Sequence, residues 1–345
     1  MDTLILPKSG AAPAVAAEPT LSVVVPVRNE EAVLAEFHRR LGAVLDGVAC
    51  ATEIVYVDDG SDDRSGLLLA ELRRSDPRVA VIDLSRNFGK ENAMSAGLDF
   101  AQGDAVIVID ADLQDPPELI PDLLRAWQAG HDVVLMRRRH RAEDSLVKRG
   151  ITRVFYRTLN RMSPTDIPLD VGDFRLLSRR AVEAVRRFPE RSRFMKGLFA
   201  WVGFDTTVIE YDRAGRHAGK TKYNYWRLWN FALEGITSFS VIPLKVASYV
   251  GVATASLAFA MAAFFIVKTL VYGDPVQGFP TLVVIVLFLG GLQLMALGII
   301  GEYLARMFIE VKQRPLYLVQ RYDAPARPLR PPAESVSATA PAAWR

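Results

Sequence analysis

From Leu21 to about Tyr211, short runs rich in β-branched residues alternate with stretches whose apolar positions recur at helical spacing. The runs are LSVVVPV, EIVYVDD, VAVIDLS, DAVIVID and DVVLM. Runs apolar at nearly every position predict strands buried on both faces, and their alternation with helices predicts an α/β domain with a mostly parallel sheet. After about Tyr223 the pattern changes. Val246–Val267 and Thr281–Gly301 carry no charged residue, and each is long enough to cross a hydrocarbon core of ~30 Å as a helix. They predict two transmembrane helices. Between them, Lys268 to Pro280 holds a single Lys, whereas Lys245, Arg306, Lys312 and Arg314 flank the pair. The positive-inside bias then places both flanks in the cytosol and the linker outside. Tyr225–Ser240 mixes Trp, Phe and Leu with polar positions and predicts a helix, either lying at the membrane interface or packed under the α/β domain.

The expected organisation is therefore an Ala/Pro-rich tail over 1–20, an α/β domain over 21–222 and juxtamembrane helices over 223–245. Two spans over 246–304, a cytosolic segment over 305–322 and a second tail over 323–345 complete it. The opening residues include Asp2 and only a short apolar run, unlike a secretory signal. The α/β domain is thus expected in the cytosol, on a multi-pass protein of the plasma (inner) membrane.

Composition narrows the chemistry. The chain has 345 residues, 50% of them hydrophobic, enough for a sizeable core. Its single cysteine, Cys50, excludes an internal disulfide framework and cysteine-rich metal sites. A formal charge of +3 gives no reason to expect nucleic acid as a partner. Self-association is left open.

Ligands on parallel α/β sheets bind at the carboxyl ends of the strands, and polar clusters stand at four consecutive ends. These are Asn29 and Glu30, Asp58 and Asp59, Arg86 and Asn87, and Asp110 and Asp112. In DADLQDPPE, Asp110 and Asp112 with the carbonyl of Gln114 offer hard oxygen ligands suited to Mg²⁺ or Mn²⁺. An ion there would bridge diphosphate oxygens. The first strand is followed by VPVRNEE and lacks the GxGxxG of a dinucleotide fold, which disfavours nicotinamide or flavin chemistry. Basic residues gather at Arg137–Arg139, at Lys148 and Arg149, and at Arg213, Arg216, Lys220 and Lys222, where guanidinium groups near glycine suit phosphate.

The motifs VVPVRNEE, VDDGSDD, LSRNFGKENA, IDADLQDPPE, IPLDVGDFRLLSRR and RHAGKTKY, with the two-helix C-terminus, together resemble the family-2 inverting glycosyltransferases of the A-type fold. The likeness is to the polyprenyl-phosphate branch that includes dolichyl-phosphate mannose synthase and bactoprenol glucosyltransferases, and it covers about Leu21 to Gln320. The resemblance implies transfer of a hexose, first of all glucose from UDP-glucose, to undecaprenyl or another polyprenyl phosphate. It implies nucleotide contacts at Pro26, Asn29, Glu30, Asp59 and Asp110, and a metal at Asp110, Asp112 and Gln114. Arg138 and Arg149 would meet the acceptor phosphate, and Arg213, Arg216, Gly219 and Lys222 would form a lid over the diphosphate. Asp112, Asp173, Arg216 and Lys222 would carry catalysis, with Asp173 either a base or an orienting group. Another sugar, mannose or a modified arabinose, and a catalytically silent nucleotide-binding scaffold are the competing readings. A processive polysaccharide synthase is disfavoured, since no Q-x-x-R-W stretch is present.

Overall fold

The computed structural model of the chain describes residues 19–139, 171–188, 190–191, 195–211, 242–272 and 278–329. Its strands are Thr20–Val27 (β1), Ala51–Asp58 (β2), Val79–Leu84 (β3), Ala105–Val108 (β4), Val133–Arg138 (β5), Val171–Ser178 (β6), Thr206–Tyr211 (β7) and Val319–Asp323 (β8). The helices are Leu34–Asp46 (α1), Ser65–Ser75 (α2), Lys90–Phe100 (α3), Ile120–Gln128 (α4), Arg179–Arg186 (α5), Met195–Trp201 (α6), Ile242–Tyr272 (α7) and Phe279–Lys312 (α8). The first five strands fall on the five apolar runs of the sequence. Together the strands form one sheet in the order β7-β5-β6-β4-β1-β2-β3-β8.

The strands β3, β2, β1 and β4 run parallel. Alternation along them divides their side chains between two cores, because successive residues point to opposite faces. Val23, Val25, Ile54 and Tyr56 pack with α1, α2 and α4 on one face. Val24, Val55 and Val57 pack with α3, α5 and α6 on the other. The α3 helix lies so close to β1 that a Cβ on Gly97 would sit 2.2 Å from Val24 Cγ1. Pro26 is tolerated in this central strand because it lies past the last β1–β4 pair, Val24 with Val108.

The expected mostly parallel sheet is mixed, with antiparallel pairing at β6 inside it and at β8 on one edge. β6 lies antiparallel between β4 and β5, and β7 pairs parallel with β5. The sequence hid β6 because Asp173 and Arg175 interrupt its apolar run. Arg175 is nonetheless buried, donating to the Gly172 carbonyl at 2.7 Å with its guanidinium 4.3 Å from the Phe199 ring centroid.

The second correction concerns the C-terminus. The tail expected from residue 323 begins later, because the end of the segment expected over 305–322 and Asp323 return to the sheet as β8, antiparallel to β3. α8 ends at Gln313, whose φ of 47° turns the chain left-handed, and Pro315 prevents the helix resuming. The returning segment is then fastened along its length. Ser85 N–H donates to the Leu318 carbonyl (2.9 Å), Tyr317 Oη donates to Asp99 (2.7 Å), and Arg321 pairs with Asp83 (2.6 Å).

The helices α7 and α8 are about 46 and 51 Å long at ~1.5 Å per residue, and the two expected spans fall inside them. They pack against one another, and many apolar side chains face outward, such as Phe259 (77% exposed) and Leu270 (81%). Among the described residues, Phe288–Lys312 is long and apolar enough to cross a membrane, and Val246–Met261 is a shorter apolar stretch. The expected interfacial helix at Tyr225–Ser240 lies outside the described residues.

Candidate active site

The loops leaving β1, β2, β3 and β4 converge at one end of the sheet. Asn29 has a φ of 55°, a conformation asparagine tolerates better than most residues, and this turns the chain back toward the β2 loop. Its Oδ1 accepts from Asp62 N–H (2.8 Å) and its own N–H donates to Ser61 Oγ (3.1 Å). Glu30 N–H donates to Ser65 Oγ at 2.9 Å. Within the β2 loop, Asp58 accepts from the Ser61 N–H and hydroxyl. Buried Asp59 accepts from Phe88 N–H (2.7 Å) with one oxygen and from Gly89 N–H (2.9 Å) with the other. Asp59 therefore anchors the loop after β3. Gly60 allows the close approach: at φ 65° its absent Cβ would stand 2.8 Å from the Arg86 carbonyl carbon.

After β4 the chain makes a tight turn. Leu113 is buried at a φ of 60°, a strained conformation for a branched side chain. The strain is held by Gln114 N–H donating to Asp112 Oδ1 at 3.0 Å. Asp112 is left half-buried at the rim, and Gln114 is buried behind it. Asp115, fully buried, accepts from the Tyr211 hydroxyl on β7 and lies 3.7 Å from Arg138 Nη2. Arg138 Nε in turn donates to the Tyr211 hydroxyl at 3.4 Å.

Lys90 joins the two halves of the sheet. Its ammonium lies 2.6 Å from Asp110 and 2.5 Å from Asp173 on β6. Burial disfavours the charge, but Asp110 and Asp173 outweigh it and hold the ammonium above the usual lysine range. The structure thus brings Glu30, Asp110, Asp112, Asp173 and Arg138 to one end of the sheet. Arg149, Arg213, Arg216, Gly219 and Lys222 lie outside the described residues.

Lys90, Asp115 and Tyr211 were not singled out in the sequence. A signal for Lys90 existed: a cation in the first turn of a helix opposes the helix dipole, and such breaches of local rules gather at functional sites. Asp115 and Tyr211 offered none, because they meet only through the pairing of β7 with β5.

Carboxylates crowd this end of the sheet. Burial first, then Asp112, Asp110 and Asp63, push Glu30 up from 4.5 to about 7. Hard oxygens with surplus negative charge fit a divalent cation. Among the described residues no group of three or more His, Cys, Asp or Glu stands as a finished metal site.

The same crowding bears on stability. Between pH 4.5 and about 7 the folded chain keeps a Glu30 proton that the unfolded chain releases, so stability falls as pH rises through that window and levels off above it. In metal-free thermal melts, Glu30→Gln is expected to raise the midpoint by about 2–4 °C at pH 8 and much less at pH 5. An equal gain at both values would show that Glu30 is not crowded.

A model described as "Glycosyl transferase family 2" matches residues 22–186. The SfII prophage-derived bactoprenol glucosyl transferase of Shigella flexneri is 50% identical over 301 residues, covering 87% of this chain and 97% of that protein. A prophage bactoprenol glucosyl transferase homolog of Escherichia coli (strain K12) is 48% identical over 87% of this chain and 98% of its own. An uncharacterized glycosyltransferase of Synechocystis sp. is 51% identical over 87% of this chain and 94% of its own.

Proposed function

Because the chain belongs to glycosyl transferase family 2 and is a glycosyltransferase, we propose that it transfers glucose from UDP-glucose to a membrane-held polyprenyl phosphate with inversion at the anomeric carbon. The observation that carries this is the 50% identity to a bactoprenol glucosyl transferase along 97% of that relative's length. The product, a polyprenyl-phosphate sugar, would serve modification of cell-envelope glycans.

In this reading Pro26, Asn29, Glu30, Asp59 and Asp110 border the nucleotide, on loops that already clasp one another. Asp110, Asp112 and Gln114 would hold Mg²⁺ or Mn²⁺. When bound, the ion supplies positive charge to the leaving diphosphate. The acceptor phosphate has a second pKa near ~6, so its oxygen is already mostly anionic at neutral pH and needs no strong base. Asp173, held by Lys90, then positions rather than deprotonates. The harder task is to bring two anions together, and Arg138 with Arg149 offsets the acceptor's charge.

Arg213, Arg216, Gly219 and Lys222 would close over the diphosphate as negative charge builds on it. Arg216→Ala and Lys222→Ala are each expected to lower turnover about tenfold with a smaller change in donor KM. A raised KM at unchanged turnover would remove the lid role.

The helices α7 and α8 are proposed to span the plasma membrane, with the sheet domain on the cytosolic side. The chain is then expected to stay in the membrane pellet through carbonate and high-salt washes, and release without detergent would contradict two spans. The donor and acceptor are tested by incubating membranes that contain the chain with radiolabelled nucleotide sugars and undecaprenyl phosphate. Label should pass to lipid from UDP-glucose. Transfer only from a mannose or arabinose donor would change the sugar, and no transfer from any donor would leave a silent scaffold.

A further inference from the structure

The chain's return to the sheet after α8 encloses a cavity of about 350 Å³, between the loop after β3, Arg191 and the last turn of α8. It adjoins the carboxylate site through the loop after β3, since Phe88 lines the cavity while its N–H is held by Asp59. Four cations line it: Arg86, Arg191, Lys312 and Arg314. Among the described residues none of their side chains is ion-paired to a carboxylate. The nearby Glu310 accepts from the Arg191 main-chain N–H at 2.7 Å, which fastens that residue to α8. Two of the cations rest on aromatic rings, Arg86 at 4.3 Å from the Phe88 centroid and Lys312 at 4.2 Å from that of Phe308. They are held in place before any ligand arrives.

We propose that this cavity binds the phosphate headgroup of an anionic phospholipid. A pocket of convergent cations over apolar walls matches a phosphate that carries hydrocarbon, since guanidinium groups bind phosphate oxygens in pairs. Its place in the fold selects a lipid over a free anion. The apolar stretch Phe288–Lys312 ends at the cavity, and Phe308 (58%) and Ile309 (51%), which line it, are exposed and offer a track for acyl chains. A phosphate seated there ties the end of α8 to the loop after β3, whose Phe88 and Gly89 N–H groups are held by Asp59. An anionic membrane surface would thereby brace one wall of the nucleotide site. This inference rests on the proposed membrane anchoring of α8.

The test uses the purified full-length chain in a neutral detergent, titrated with phosphatidylglycerol or phosphatidylcholine and read by native mass spectrometry. The wild type is expected to retain phosphatidylglycerol over phosphatidylcholine. Arg191→Gln/Lys312→Gln/Arg314→Gln should retain it at least tenfold less, since each cation beside an anionic lipid contributes roughly fivefold. An unchanged thermal midpoint and unchanged UDP binding would show that the triple variant is folded. If it does not fold, Lys312→Gln alone should weaken retention roughly fivefold, while Lys312→Arg should retain the lipid. Equal retention by wild type and variants overturns the proposal. Glycerol phosphate displacing the lipid at equal concentration would make the site one for free phosphate and also overturn it. Carbonate extraction from membranes separates the two readings. If the chain is released, the anchoring itself has failed; if it stays but shows no preference for phosphatidylglycerol, only the lipid site has.

Discussion

Asp112→Asn is expected to lower turnover by at least ~100-fold at every pH, with the fold and nucleotide loops intact. The substitution keeps the shape of the side chain and an oxygen able to accept the Gln114 N–H that closes the strained turn at Leu113. What it removes is charge at the rim of the site. Asp112 already contributes enough negative potential to raise Glu30, so it stands close enough to bear on a diphosphate gathered at the same place. Hard anionic oxygens favour Mg²⁺ or Mn²⁺, and a neutral amide is a weaker ligand. The companion expectation is that EDTA abolishes wild-type transfer and that added Mn²⁺ restores it. Full activity in EDTA would sink the metal reading, and an Asp112→Asn enzyme within tenfold of wild type would remove Asp112 from it. Because the amide preserves the turn, a variant with an unchanged melting temperature and no transfer separates lost chemistry from lost folding.

How much of this was legible depends on the range over which each signal acts. The five leading strands were readable because strands buried on both faces must be apolar almost throughout, and that pattern is local. The carboxylates at their ends were readable because parallel α/β sheets gather such ends on one side. β6 was hidden because Asp173 and Arg175 break its apolar run, and the burial that tolerates Arg175 depends on the Phe199 ring brought in by α6. β8 was hidden for the opposite reason. Its residues are polar, and its strand character comes from main-chain pairing with β3 across more than two hundred residues of sequence. The apolar lengths within α7 and α8 were plain, yet nothing local announced that the chain beyond them would rejoin the sheet. In the site, the sequence named Asp110 and Asp173 separately and missed Lys90, the group that joins them. Pairing of β4 with β6 makes them neighbours, and a sequence without that pairing gives no reason to place one cation between both.

Lys90 decides between the two roles open to Asp173, and the expected result for Asp173→Asn is a loss of roughly 30- to 100-fold that stays nearly constant from pH 6.5 to 8.5. The geometry supplies the reason. Asp173 lies 2.5 Å from the Lys90 ammonium, and the same ammonium lies 2.6 Å from Asp110. A carboxylate held by a cation at that distance is a poor proton acceptor, because accepting a proton forfeits the ion pair. The acceptor phosphate, with its second pKa near ~6, gives little need for one. Removing the carboxylate instead frees Lys90 to swing toward Asp110 alone, which disturbs the charge and placement of Asp110 at any pH. Lys90→Met should therefore produce a loss of similar size, and the double variant should lose little more than either single one, since both changes break one linkage. A base role predicts otherwise. The loss in Asp173→Asn would then shrink as pH rises and the phosphate dianion becomes fully populated, and Lys90→Met, by releasing the carboxylate, would keep or gain activity. Both profiles can be measured on one set of membranes at saturating lipid acceptor. A pH-independent loss shared by the two single variants and not deepened in the double fits only the positioning role.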